Sequence, residues 1–135
     1  IRLMGQSTGG TVALFTAAMD TRIAETMATG CLALVADSLL RRGDPSGQNL
    51  LPGMLEWLEM DDVVALCAPR LFLSVSGTKD HIWPAAAGEK TVELARPVYS
   101  ALSAADRLRF VSVPGPHRFY PAESWAAFEQ MQSPS

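Results

Sequence analysis

The hexapeptide Gly5-Gln6-Ser7-Thr8-Gly9-Gly10 constrains this 135-residue chain more than any other feature, because it joins two opposite periodicities. Before it stands the short apolar stretch Ile1-Arg2-Leu3-Met4, which reads as the end of a strand. After it, Val12, Leu14, Phe15, Ala18 and Met19 fall mostly at helical spacing, predicting a helix from Thr8 to Met19 that Asp20-Thr21-Arg22 closes. A strand that turns at once into a helix crowds the residues on either side of the turn. Gly5 and Gly9 are expected to relieve that crowding, and Gly10 to let the helix lie close to the sheet. A serine at such a turn is held in a strained conformation with its hydroxyl projecting. It also sits beside the free N–H groups of a helix start.

The rest of the chain repeats the alternation. Ile23 to Val35 is apolar and contains a strand whose ends the pattern does not fix. Residues 36–58 read as a loop or helical excursion, with two Gly and two Pro between Arg41 and Pro52. Gly53 to Leu66 reads as helical, in two short pieces. Leu71 to Ser76 is a compact strand ended by Gly77. Ala85 to Leu102 is a long helical pattern that Pro97 is expected to kink or interrupt. Leu108 to Val113 alternates as a strand, and Pro121 to Met131 is a last amphipathic helix carrying Trp125, Phe128 and Met131. Strands alternating with helices predict an α/β fold, a mostly parallel sheet flanked by helices in a single domain over 1–135. Functional residues of such sheets collect beyond the carboxyl ends of the strands.

Three residues there carry chemistry. Ser7 follows the first strand, Asp80 follows Leu71–Ser76, and His117 follows Leu108–Val113. A serine becomes a nucleophile when an imidazole takes its proton, and a carboxylate orients that imidazole and stabilises its charged form. The order Ser, Asp, His, each following a strand, is the order of an α/β-hydrolase triad. The backbone N–H of Thr8 is the natural oxyanion donor. Gln6 and Trp83 flank these residues and are candidates for substrate contact; Trp83, Phe119 and Tyr120 fit core packing as well as a pocket wall.

Other assignments are weaker. His81 adjoins Asp80 in sequence and is poorly placed to bridge that carboxylate to Ser7. Asp61 and Asp62 open an apparent helix and suit its dipole. Asp37 and Asp44 lie in the excursion with no strand before them. Eleven Lys and Arg against fourteen Asp and Glu give a net charge of −3, which argues against a nucleic-acid partner. Cys31 and Cys67 share no CxxC spacing and sit in apolar runs, so they are expected to be buried thiols; with two histidines besides, no metal site is expected. No apolar run is long enough to span a membrane, and cysteine usage suggests a cytoplasmic protein.

The motifs together resemble the C-terminal part of an α/β-hydrolase, close to the dienelactone-hydrolase and acetyl-xylan-esterase-like branch. The residues that carry the likeness are GQSTGG at 5–10, LPGMLEWLEMDDVVALCAPRLFLSVSGTKDHIWP at 51–84 and VPGPHRFYP at 113–121. The resemblance implies hydrolysis of small acyl or carbohydrate esters by Ser7, His117 and Asp80, without metal or organic cofactor. It also implies that the strands normally preceding the elbow are absent, and with them the usual second oxyanion donor. The first strand would then be an open edge, able to pair in a homo-oligomer. Two alternatives stay open: a non-catalytic hydrolase fragment or interaction module, and a peptidase half of the prolyl-oligopeptidase kind.

Overall fold

The computed structural model describes residues 1–36 and 51–132. Most of the 36–58 excursion, with Asp37 and Asp44, lies outside the described residues, as does the end of the polar tail. Four strands, β1 (Arg2–Gln6), β2 (Glu25–Thr29), β3 (Leu71–Gly77) and β4 (Leu108–Val113), form one parallel sheet in the order β1-β2-β3-β4. Register runs from Arg2 opposite Glu25 to Gln6 opposite Thr29, from Glu25 opposite Leu71, and from Phe72 opposite Leu108 to Gly77 opposite Val113. Among the described residues, four α-helices connect and cover the strands: α1 (Thr8–Met19), α2 (Met60–Ala65), α3 (Ala85–Ala101) and α4 (Pro121–Gln132).

The alternation of β3 explains the layering. Every residue of β3 is buried. Phe72 points into the cluster formed with Leu14 and Ala17 of α1, Val63 and Val64 of α2, and Val92 and Tyr99 of α3. Leu71, Leu73 and Val75 point the other way, into a smaller cluster with Tyr120, Ala127 and Phe128. A strand apolar on both faces must be covered on both, which is why helices flank the sheet on either side.

Two expectations need correction here. β1 extends through Gly5 and Gln6 to the edge of Ser7, two residues beyond the apolar run. The helix α3 is not interrupted at Pro97. A proline inside a helix costs about 3 kcal/mol through a lost N–H and a clash with the carbonyl four residues back. Here Pro97 and Glu93 both lie on the exposed face, where solvent can satisfy the freed carbonyl, while Val92, Ala95 and Tyr99 anchor the opposite face.

The start of α2 is fixed by one carboxylate. Glu59 accepts hydrogen bonds from the N–H groups of Met60 at 2.7 Å, Val35 at 2.8 Å and Ala36 at 3.0 Å, and Asp62 accepts from the Glu59 N–H at 2.9 Å. This capping box ties the segment after β2 to α2. Asp61 and Asp62 lie in the first turn, where their sequence suited the helix dipole, and burial pushes the Asp61 carboxyl above its usual range.

Candidate active site

The site begins with a steric constraint. Ser7 adopts φ 57° and ψ −124°, a conformation that residues other than glycine rarely take. Its N–H donates to the Thr29 carbonyl at 2.8 Å, and its own carbonyl accepts the first helical bond from Thr11 at 3.0 Å. The turn is thus held by β2 on one side and by α1 on the other. It closes only because Gly5 has no side chain: a Cβ there would lie 2.0 Å from the Gly9 carbonyl oxygen. Gly10 is equally constrained, since a Cβ would fall 2.7 Å from Cys31 Sγ and 2.9 Å from the Thr29 carbonyl oxygen.

Gly9 differs. A Cβ at Gly9 would meet nothing within 4 Å, so the expected crowding there is corrected: Gly9 contributes its carbonyl to the tight turn, and its own side of the chain is open. Thr8 is exposed at the first position of α1, with its backbone N–H next to Ser7 along the chain. Cys31 is buried beside the elbow, and burial pushes its thiol up to about 12. It stays protonated at neutral pH and is no rival to Ser7 as a nucleophile.

Asp80 and His117 are brought together by the ends of β3 and β4. The Thr78 N–H donates to the Val113 carbonyl and the Lys79 N–H to the Gly115 carbonyl, each at 2.8 Å. Asp80, 4% exposed, uses both carboxylate oxygens. Oδ1 accepts from the N–H groups of Ile82 at 2.9 Å and Trp83 at 2.8 Å, while Oδ2 lies 2.6 Å from His117 Nδ1. The other ring nitrogen, Nε2, lies 3.0 Å from Ser7 Oγ. Ser7, His117 and Asp80 therefore form one continuous line of hydrogen bonds. With Nδ1–H donated to the carboxylate, Nε2 presents a lone pair to the serine hydroxyl, the tautomer needed to accept its proton.

Gln6 also reaches the ring: its Nε2 lies 3.4 Å from His117 Nε2. Among the described residues, Trp83 packs into the core. Its side chain is 3% exposed and belongs to the main core, so the expectation of substrate contact is corrected; its backbone N–H serves Asp80 instead. His81 is exposed. Among the described residues, no group of three His, Cys, Asp or Glu side chains is placed to hold a metal ion, and no helix is long and apolar enough to cross a membrane.

Two contacts that sequence reasoning did not foresee complete the arrangement. Gly30, at φ 57° just beyond β2, lies under the imidazole: a Cβ there would be 3.2 Å from His117 Cε1. Tyr120 donates its hydroxyl to the Pro116 carbonyl at 2.5 Å and so grips the residue before His117. That hydroxyl fits because Gly77 and Gly115 leave room; a Cβ on either would approach it to 2.6 or 2.5 Å. The only sequence signal for these contacts was the Pro-Gly-Pro run before His117.

No protein-family model matches the chain, and no curated protein matches it. Solved structures do. A carbohydrate esterase family 15 glucuronoyl esterase from Caldicellulosiruptor kristjansonii aligns with a TM-score of 0.76 and 22% identity, over 95% of this chain and 41% of that one. A glucuronoyl esterase from Solibacter usitatus aligns at 0.73 and 19%, over 97% and 42%. The protein TT1662 from Thermus thermophilus aligns at 0.69 and 26%, over 98% and 55%. This likeness establishes the fold: the chain has the α/β-hydrolase fold, and it spans about two fifths of the length of the two esterases.

Proposed function

We propose that this chain carries the nucleophile, acid and base of a serine hydrolase acting on carboxylic esters, with small acyl or carbohydrate esters as the substrate class. The observation that carries the reading is the line from Ser7 Oγ through His117 to Asp80, at 3.0 and 2.6 Å, with Ser7 held in a strained turn at a helix start. The two glucuronoyl esterases that share the fold support ester chemistry and a carbohydrate setting.

In this mechanism Ser7 Oγ bonds to the ester carbonyl carbon as its proton passes to His117 Nε2. The Thr8 N–H, at the positive end of α1, donates to the oxyanion that forms. The tetrahedral species collapses, the bond to the alcohol oxygen breaks, and the alcohol leaves with the proton from Nε2. Water then attacks the acyl-serine while His117 takes its proton, and the acid departs as Ser7 recovers its hydrogen. Asp80 keeps the ring oriented and stabilises the imidazolium.

A fluorophosphonate probe with peptide mapping tests the reading. Labelling confined to Ser7, absent in Ser7→Ala and lost or strongly slowed in His117→Ala, is the expected result. A second reading is a folded module that carries the site without turning over substrate. A wild-type chain that is folded by circular dichroism yet unlabelled selects that second reading.

A further inference from the structure

We propose that Gln6 is a positioning residue for His117: its carboxamide is a second partner of the catalytic ring nitrogen and retains the imidazole when Ser7 no longer can. The inference rests on the hydrolase reading above. Asp80 holds one end of the ring, through Nδ1 at 2.6 Å. A ring held at one nitrogen can still swing about that bond. At the other end, Nε2 has two neighbours, Ser7 Oγ at 3.0 Å and Gln6 Nε2 at 3.4 Å.

The first neighbour is lost during turnover. Once Ser7 is acylated, Oγ is an ester oxygen with no proton to donate, and the ring must still stand ready to activate water. Gln6 remains. A carboxamide carries both donors and an acceptor. Its N–H group donates to the neutral Nε2 lone pair. After proton transfer to the ring, a half-turn of the amide presents Oε1 to the new Nε2–H. One side chain can therefore partner both protonation states.

The fold prepares this contact. Gln6 is the last residue of β1, its backbone set in register opposite Thr29. Gly30 supplies space beside the ring: a Cβ there would crowd His117 Cε1 at 3.2 Å and come into ordinary contact with Gln6 Nε2 at 3.6 Å.

The experiment uses the 135-residue chain labelled with 15N, in which His81 and His117 are the only histidines, so two imidazoles account for all ring signals. Gln6→Met removes the hydrogen bond, and Gln6→Glu keeps the shape but only accepts. At one fixed pH, Gln6→Met is expected to move the His117 Nε2 resonance and leave the Nδ1 proton to Asp80 in place. For p-nitrophenyl acetate its kcat is expected to fall about three- to tenfold with KM little changed. Gln6→Glu is expected to fall further, because a carboxylate favours a proton on the nitrogen that must be free to take one from Ser7. A Gln6→Met variant that raises KM at unchanged kcat makes Gln6 a substrate contact and overturns the proposal. So does a His117 spectrum unchanged in both folded variants. A wild-type chain that resists the fluorophosphonate probe defeats the hydrolase reading instead; the ring spectra then decide the Gln6 contact on their own.

Discussion

The carboxyl ends of β1 and β3 hold the two outer members of the site by different means. Around β3 the geometry is set by attraction. Asp80 is buried with both oxygens bonded, its loop is tied to the His117 loop by two backbone hydrogen bonds, and Tyr120 grips the residue before the histidine. Around β1 the geometry is set largely by exclusion. β1 is partly exposed, and the turn that projects Ser7 closes only because Gly5 and Gly10 carry no side chain. Attraction has several parts and loses them one at a time. Exclusion has a threshold: one added methyl group defeats it.

The largest effect should come from the attractive side, at the one atom pair that joins it to the chemistry. Asp80→Asn leaves the shape but alters the partner of Nδ1, and the rate of ester hydrolysis should fall by about 10⁴-fold, as expected when the imidazole is left in the wrong tautomer. Steady-state kinetics would check this, and a loss below tenfold would mean that Asp80 does not orient the ring.

The exclusive side should break next, and abruptly. Gly5→Ala places a carbon 2.0 Å from a backbone oxygen, so it should cost about 3 kcal/mol or more by urea unfolding and abolish labelling of Ser7. Gly9→Ala sharpens the contrast. With open space at that position, it should be neutral or stabilising by about 0.4–1 kcal/mol, because alanine narrows the unfolded ensemble. Equal losses in the two variants would remove the distinction between the glycines.

The smallest effect should be at Tyr120. Tyr120→Phe removes one of several ties on the histidine loop, so stability should fall by about 1 kcal/mol and kcat by only a few-fold. A loss as deep as that of Asp80→Asn would show that the loop depends on this single bond.

How much of this was legible in the sequence follows the range of the interactions. The strand Leu108–Val113 was read to the residue because side-chain alternation is a local property. β1 was read two residues short, because Gly5 and Gln6 end the apolar pattern while their backbones continue the ladder to β2. Ser7, Asp80 and His117 were legible as types at strand ends, and the structure brings His117 within hydrogen-bond distance of both others. Trp83 was misplaced because an aromatic residue after a strand looks the same whether it faces a cleft or the core. The contacts of Gly30 and Tyr120 were not legible for a different reason. Gly30 matters through His117, far away in the chain, and Tyr120 fits only because Gly77, also distant, leaves it room; its bond to Pro116 is local, but the Pro-Gly-Pro run does not say which side chain will grip it.

β2 supplies no member of the Ser-His-Asp line, yet it sets the scale of the site. Ser7 follows β1, Asp80 follows β3, and β2 lies between them. Parallel neighbours stand about 4.8 Å apart, so the nucleophile and the acid stem from strands roughly 9.5 Å apart. One imidazole with a hydrogen bond at each end spans the gap between their side chains. The pleated sheet acts as a ruler whose divisions come only in whole strands. A nucleophile one division nearer the acid would have no room for the ring, and one division farther would be out of its reach. Side-chain changes can tune the contacts within that interval, but only a change in strand order can alter the interval itself.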